Sequence, residues 1–183
     1  GSHDGGGLLE RYLDSLAQMG RFVFVTGAGN EGDSGGHARP VIVPGRIAEV
    51  RLSVGNYETG FGVQIWKNYE DGMRIFLRDP SGDAEFELLP IRGTDRIRIG
   101  ETELLIYYGE PSPFNAAQEI YIEFVPEQAY VESGIWIFRF LLCKWRNLYR
   151  VIHNECRLEQ MLLYILLEEE VQDIAFLMSL FEF

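Results

Sequence analysis

The chain has 183 residues, 46% of them hydrophobic, enough for one domain with a real core or for one domain plus a further segment. Its formal net charge is −12 without any basic stripe, which argues against nucleic acid and against anionic membrane surfaces as partners; the acids are scattered and read as a solvated surface. Cys143 and Cys156 are the only cysteines, so no disulfide framework is expected, and no CxxC or Cys/His cluster suggests zinc or any other cofactor.

No charged-then-apolar signal pattern opens the chain. Gly1-Ser2-His3 reads either as a tag remnant or as native sequence that begins mid-protein. The first clear element is a helix over 8–19: Leu8, Leu9, Tyr12, Leu13, Leu16, Ala17 and Met19 recur at helical spacing, opposite Glu10, Asp14 and Gln18. Asp4 can cap its start, and Gly20 suits its end. Phe22-Val23-Phe24-Val25 then predicts a strand buried on both faces. Helix and strand make one α–β unit, which needs further strands beside it that the chain does not obviously hold.

The strand stops at Thr26-Gly27-Ala28-Gly29-Asn30-Glu31-Gly32, a run of small residues with one amide. Glycines permit a tight turn and close approach of another chain. Asn30 stands as an amide donor at the carboxyl end of a strand, where open α/β sheets place ligands. Glu31 to Pro44 is glycine-rich and irregular; His37 within it has no partner nucleophile at a telling spacing and reads as a loop histidine with local hydrogen bonds.

From residue 46 the pattern changes to short apolar or alternating runs separated by turns. Eight strands are expected: Ile47–Val54, Gly60–Lys67, Met73–Leu77, Ala84–Ile91, Asp95–Ile99, Glu103–Gly109, Glu119–Val125 and Gly134–Leu142. That spacing predicts an antiparallel β-sandwich over 46–142. Trp66, Tyr69, Tyr107, Tyr108 and Trp136 could build a sugar-binding platform but read better as core or sheet surface. Asp71, Asp79, Asp83 and Asp95 could hold calcium but match no EF-hand spacing and read better as turn formers.

Residues 154–183 have a helical pattern, from Leu158 and Met161 to Met178 and Phe181, interrupted by Glu168-Glu169-Glu170. The acids come too soon for a membrane span, so this tail is expected to pack on the sandwich or on a partner chain.

The block from Phe22 to Gly32, with Ser2-His3-Asp4-Gly5 and the helix before it, resembles the surroundings of the oxyanion asparagine in subtilisin-like serine peptidases. More narrowly it resembles the clostridial branch with the germination proteases, in which a jelly roll is inserted between that asparagine and the catalytic serine. The resemblance implies an α+β chain: a partial catalytic-domain unit over 1–45, a jelly roll over 46–142, and a tail over 143–183 that the family lacks. It implies that Asn30 is the catalytic oxyanion donor and that Gly27, Ala28 and Gly29 line the substrate pocket; Thr26-Gly27 departs from the usual pair of alanines there. His3 and Asp4 match residues that are not the triad, so the chain holds neither the Asp and His nor the Ser of a triad. It is then an inactive fragment of an endopeptidase, cytoplasmic or spore-associated, whose partners are a protein or peptide substrate and the rest of the catalytic domain. Because the match fades near Phe140, two readings of the tail stand side by side: native sequence, or a frameshifted continuation. The different-class alternative is a stand-alone β-sandwich interaction module.

Overall fold

The structure, a computed structural model, describes residues 7–25, 35–91, 93–111, 113, 116–143, 159–160, 162–166 and 174–179. Helix α1 (Leu8–Gln18) has the expected extent; its sequence contains no β-branched residue and no glycine, so nothing local opposes the helix. Gly7 is the N-cap, not Asp4, which lies outside the described residues. At the other end the N–H groups of Met19 and Gly20 donate to the carbonyls of Leu16 and Ala17, and Gly20 turns the chain at φ +67°. α1 is strongly amphipathic, yet none of its residues is buried.

The strand expected over 22–25 does not form. Val23 is 90% and Val25 91% exposed, and the segment joins no ladder. The reason is physical: a strand exists only through a hydrogen-bonded neighbour, and among the described residues no strand pairs with it.

All eight expected strands form, as β3 (Ile47–Val54), β4 (Phe61–Asn68), β5 (Met73–Arg78), β6 (Glu85–Leu88), β7 (Gly93–Ile99), β8 (Thr102–Tyr108), β9 (Ala117–Pro126) and β10 (Gly134–Leu142). Two two-residue strands precede them, β1 (His37–Ala38) and β2 (Val41–Ile42). Every pairing is antiparallel: β4, β9, β8 and β7 are neighbours in one sheet, and β3, β10, β5 and β6 in the other. The period of two sorts the faces. On β3, Ala48, Val50, Leu52 and Val54 point inward, which leaves Ile47 on the exposed phase. Phe61, Val63 and Ile65 of β4 face Phe124, Ile122 and Ile120 of β9 across the ladder, all buried.

The sheets close on one apolar core. Phe61 stacks on Phe124 at 4.5 Å, and Trp136 of the opposite sheet meets Phe124 edge-on at 5.2 Å. Tyr108 on β8 donates its hydroxyl to the Leu88 carbonyl on β6, tying the sheets at one margin; burial first, then the Glu87 charge, pushes its pKa up. Each such side chain contributes about 1.5–3 kcal/mol by leaving water.

The jelly-roll expectation holds only for the outer strands. A jelly roll wraps one long hairpin, so that of eight strands the first meets the last, the second the seventh, the third the sixth and the fourth the fifth. β3 with β10 and β4 with β9 follow this rule. β5 instead pairs with β6, and β7 with β8 through the two-residue turn Gly100-Glu101, where Gly100 has φ +58°. Short connections favour these local hairpins over the wrapped pairing.

The helical tail is also corrected. Residues 159–160, 162–166 and 174–179 are strands β11 (Glu159–Gln160), β12 (Leu162–Leu166) and β13 (Ile174–Ser179). β11 pairs with β2; β12 lies between β1 and β4, and β13 continues the other sheet beside β3. Apolar runs of five or six residues do not distinguish helix from strand by periodicity, and the open edges of β3 and β4 offer ladders that a helix could not use.

Candidate functional site

The loop proposed from sequence as the site, with Gly27, Ala28, Gly29 and Asn30, lies outside the described residues, as do His3 and Asp4. Its approach is described. α1 presents Leu8, Leu9 and Tyr12 to solvent, and Met19, Phe22 and Phe24 are exposed with Val23 and Val25. Phe22 and Phe24 are 6.4 Å apart. Thus a helix and an extended segment, both apolar in pattern, lead to Asn30 without a covering layer. The core is made of residues between Ala38 and Leu142, with no contribution from 7–25. His37 lies not in a loop but in β1, paired in register with Tyr164 of β12.

The other sequence candidates do not converge. Trp136 and Tyr108 are core, Trp66 is half-buried on the outer side of β4, and Tyr69 and Tyr107 are exposed, so no aromatic platform forms. Among the described residues no group of three or more His, Cys, Asp or Glu side chains could hold a metal ion. Asp71 is buried beside Lys67, whose ammonium donates to the carbonyls of Asn68 (3.0 Å) and Asp71 (2.8 Å); burial lowers the Lys67 pKa, and Asp71 partly offsets this. Asp95 accepts from the Arg96 N–H, a local role.

One constellation escaped the sequence reading. The registers Val54 with Gly134, Phe61 with Phe124, Thr102 with Pro126 and Arg78 with Ile137 bring four connections to one end of the sandwich: 55–60, 79–84, 100–101 and 127–133. They carry Glu58, Asp79, Asp83, Glu101, Glu127 and Glu132 and not one Lys, Arg or His. Main-chain bonds lash them together: Val131 N–H to the Glu58 carbonyl at 2.7 Å, and Glu127 N–H to the Glu101 carbonyl at 2.9 Å. Glu132 donates its N–H to Thr102 Oγ1 at 3.1 Å, and its carbonyl accepts from the Trp136 indole at 2.9 Å. The absence of any cation from four neighbouring turns was a signal available in the sequence; their convergence was not.

The described residues define a class: an antiparallel β-sandwich preceded by an exposed helix and an exposed apolar segment that joins no sheet. No family model matches the chain, and no curated protein matches it. Among solved structures the chain is similar in fold to the CspB protease of Clostridium perfringens, with a TM-score of 0.71 and 23% identity over 90% of this chain. The chain spans about a third of that structure, 32% of its length.

Proposed function

We propose that the chain is a piece of a subtilisin-like serine endopeptidase: one α–β unit of the catalytic layer, followed by the sandwich inserted into it. The observation that carries this reading is the bare leader. α1 buries no residue, and the Phe/Val segment after it stays in solvent, although both are patterned for burial. Such a unit becomes stable when a sheet and its helices cover it. The likeness in fold to a clostridial protease supports a catalytic layer as that cover.

In this reading Asn30 donates its side-chain amide to the oxyanion of the tetrahedral intermediate, and Gly27, Ala28 and Gly29 leave the backbone open to the substrate. A donor of this kind is worth about 2.7–4 kcal/mol of barrier, a figure taken from a subtilisin. In this reading none of this chain's own Ser, His or Asp residues belongs to the triad, and the 183-residue chain by itself does not cleave peptides. The sandwich braces the catalytic layer or restricts access to it.

Two measurements test this. The chain alone is expected to show no turnover of a fluorogenic peptide and no labelling by a fluorophosphonate; labelling of any of its serines overturns the reading. In the full-length parent, Asn30→Ala is expected to lower kcat about 10²–10³-fold with little change in KM. An unchanged kcat removes the oxyanion role. A second reading, a self-sufficient sandwich module, is favoured by one observation: the core draws nothing from the leader.

A further inference from the structure

We propose that the end of the sandwich formed by 55–60, 79–84, 100–101 and 127–133 is a docking surface for a lysine- or arginine-bearing segment of a partner polypeptide. The inference rests on the sandwich alone and stands whichever way the peptidase reading falls.

The first observation is charge without compensation. On the sheet faces the acids are paired: Arg74 grips Glu87 with two bonds of 2.6 and 2.7 Å, Arg139 meets Glu85 at 2.7 Å, and Arg96 meets Glu103 at 3.2 Å. At the loop end Arg98 reaches only Glu127. Among the described residues no ion pair reaches Asp79, Asp83, Glu101 or Glu132.

The second observation is an orphaned buried acceptor. Asp79 is only 8% exposed; its Oδ2 accepts from the Ser81 hydroxyl, whereas Oδ1 is enclosed and has no hydrogen-bond partner. A buried carboxylate oxygen without a donor is costly, and a cation brought close to this end relieves that cost through its charge rather than by a direct bond. Asp79 is also held beside the other acids. Its neighbour Pro80 packs so tightly on Gly134 that a Cβ at 134 would sit 2.7 Å from the proline Cβ. Two residues from Gly134, the Glu132 carboxylate lies against Gly100, where a Cβ would come within 2.7 Å of Oε2. Burial first, then the Asp79 charge, then the Glu101 charge raise the Glu132 pKa, in line with the packing that sets these acids beside one another.

The third observation is an aromatic wall. Tyr57 and Tyr130 are 76% and 47% exposed and meet edge-to-face at 5.3 Å. Exposed tyrosines beside acids suit an ammonium or guanidinium, which stacks its apolar stem on the rings and sends its charge to the carboxylates. With the loops already tied together, little ordering cost falls on binding.

The test is fluorescence anisotropy at low ionic strength with the 183-residue chain. The probe is a fluorescein-labelled peptide alternating glycine with lysine and arginine, and its control carries glutamine in place of each cation. The basic peptide is expected to bind, with affinity reduced about tenfold or more by E101Q/E132Q and by Y57A/Y130A and unchanged by E70Q at the opposite end. These substitutions are at exposed or half-buried positions, and circular dichroism of each variant confirms its fold. Three results overturn the proposal: equal binding of the glutamine control, affinity of both double variants undiminished from that of the parent chain, or calcium raising the Tm and displacing the peptide, which would make the end an ion site.

Discussion

The leader and the sandwich are built from comparable residue types but differ in what covers them. In the sandwich, Phe, Val and Ile at alternate positions find the opposite sheet; Phe61, Val63 and Ile65 vanish from solvent. In the leader, Phe22, Val23, Phe24 and Val25 have the same chemistry and stay exposed. Pattern therefore tells which face seeks burial, but only a neighbour supplies it. The difference separates the part of the chain whose apolar residues are buried from the part whose apolar residues stay in solvent.

The sharpest way to break that contrast is to truncate one large side chain on each side of it. Trp136→Ala removes a buried indole, its contact with Phe124 and its hydrogen bond to the Glu132 carbonyl, and is expected to cost about 3–5 kcal/mol in denaturant unfolding. Phe24→Ala, in a residue of similar bulk, is expected to change the same measurement by no more than about 0.5 kcal/mol. Equal losses would mean that the leader packs on the sandwich. Glycines give a finer comparison. At Gly134, φ is +127° and Pro80 blocks a Cβ, so Gly134→Ala is expected to cost about 1–3 kcal/mol globally. At Gly20, φ is +67° with open space, so Gly20→Ala is expected to lose about 1 kcal/mol of local helix stability, read by amide exchange in α1, and to leave the global transition in place. Limited proteolysis of the intact chain sharpens the same point: first cuts are expected within 8–25, leaving a sandwich with an unaltered Tm.

What the sequence made legible follows the same division. α1 and all eight sandwich strands could be placed because their periods of 3.6 and 2 are local properties. The segment 22–25 was misread because burial of a strand depends on a neighbour, and no residue of the segment reports whether one exists. The tail was misread for the opposite reason: Leu162–Leu166 and Ile174–Ser179 look helical in isolation, and the vacant edges of β4 and β3 decide the outcome. The hairpins β5–β6 and β7–β8, against the wrapped pairing, were invisible because register is set between strands. Asn30 and its glycines, named from their place after an apolar run and by resemblance, lie outside the described residues, whereas the acidic end required four distant connections to be brought together.

The smallest expected effect concerns that end and its response to pH. Burial and the nearby Asp79 and Glu101 charges hold the Glu132 carboxyl above its ordinary value of 4.5. The folded state therefore keeps a proton that the unfolded chain releases as pH rises past 4.5, so this group's stabilising contribution is complete below that value and is lost as pH climbs through the raised one. Glu132→Gln keeps the shape and removes the charge. Its Tm is expected to exceed that of the parent chain by a small margin at pH 7 and to match it at pH 4. The sandwich core contains no comparable group, so Ile122→Val should lower the Tm by the same amount at both pH values. A basic peptide at this end would reverse the penalty by lowering the Glu132 pKa, and its affinity should rise as pH climbs from 4.5 to neutrality. An affinity that stays flat over that range, with a Glu132→Gln chain no more stable at neutral pH, would show that the acids at this end are screened by solvent, like those on the outer faces of the sheets.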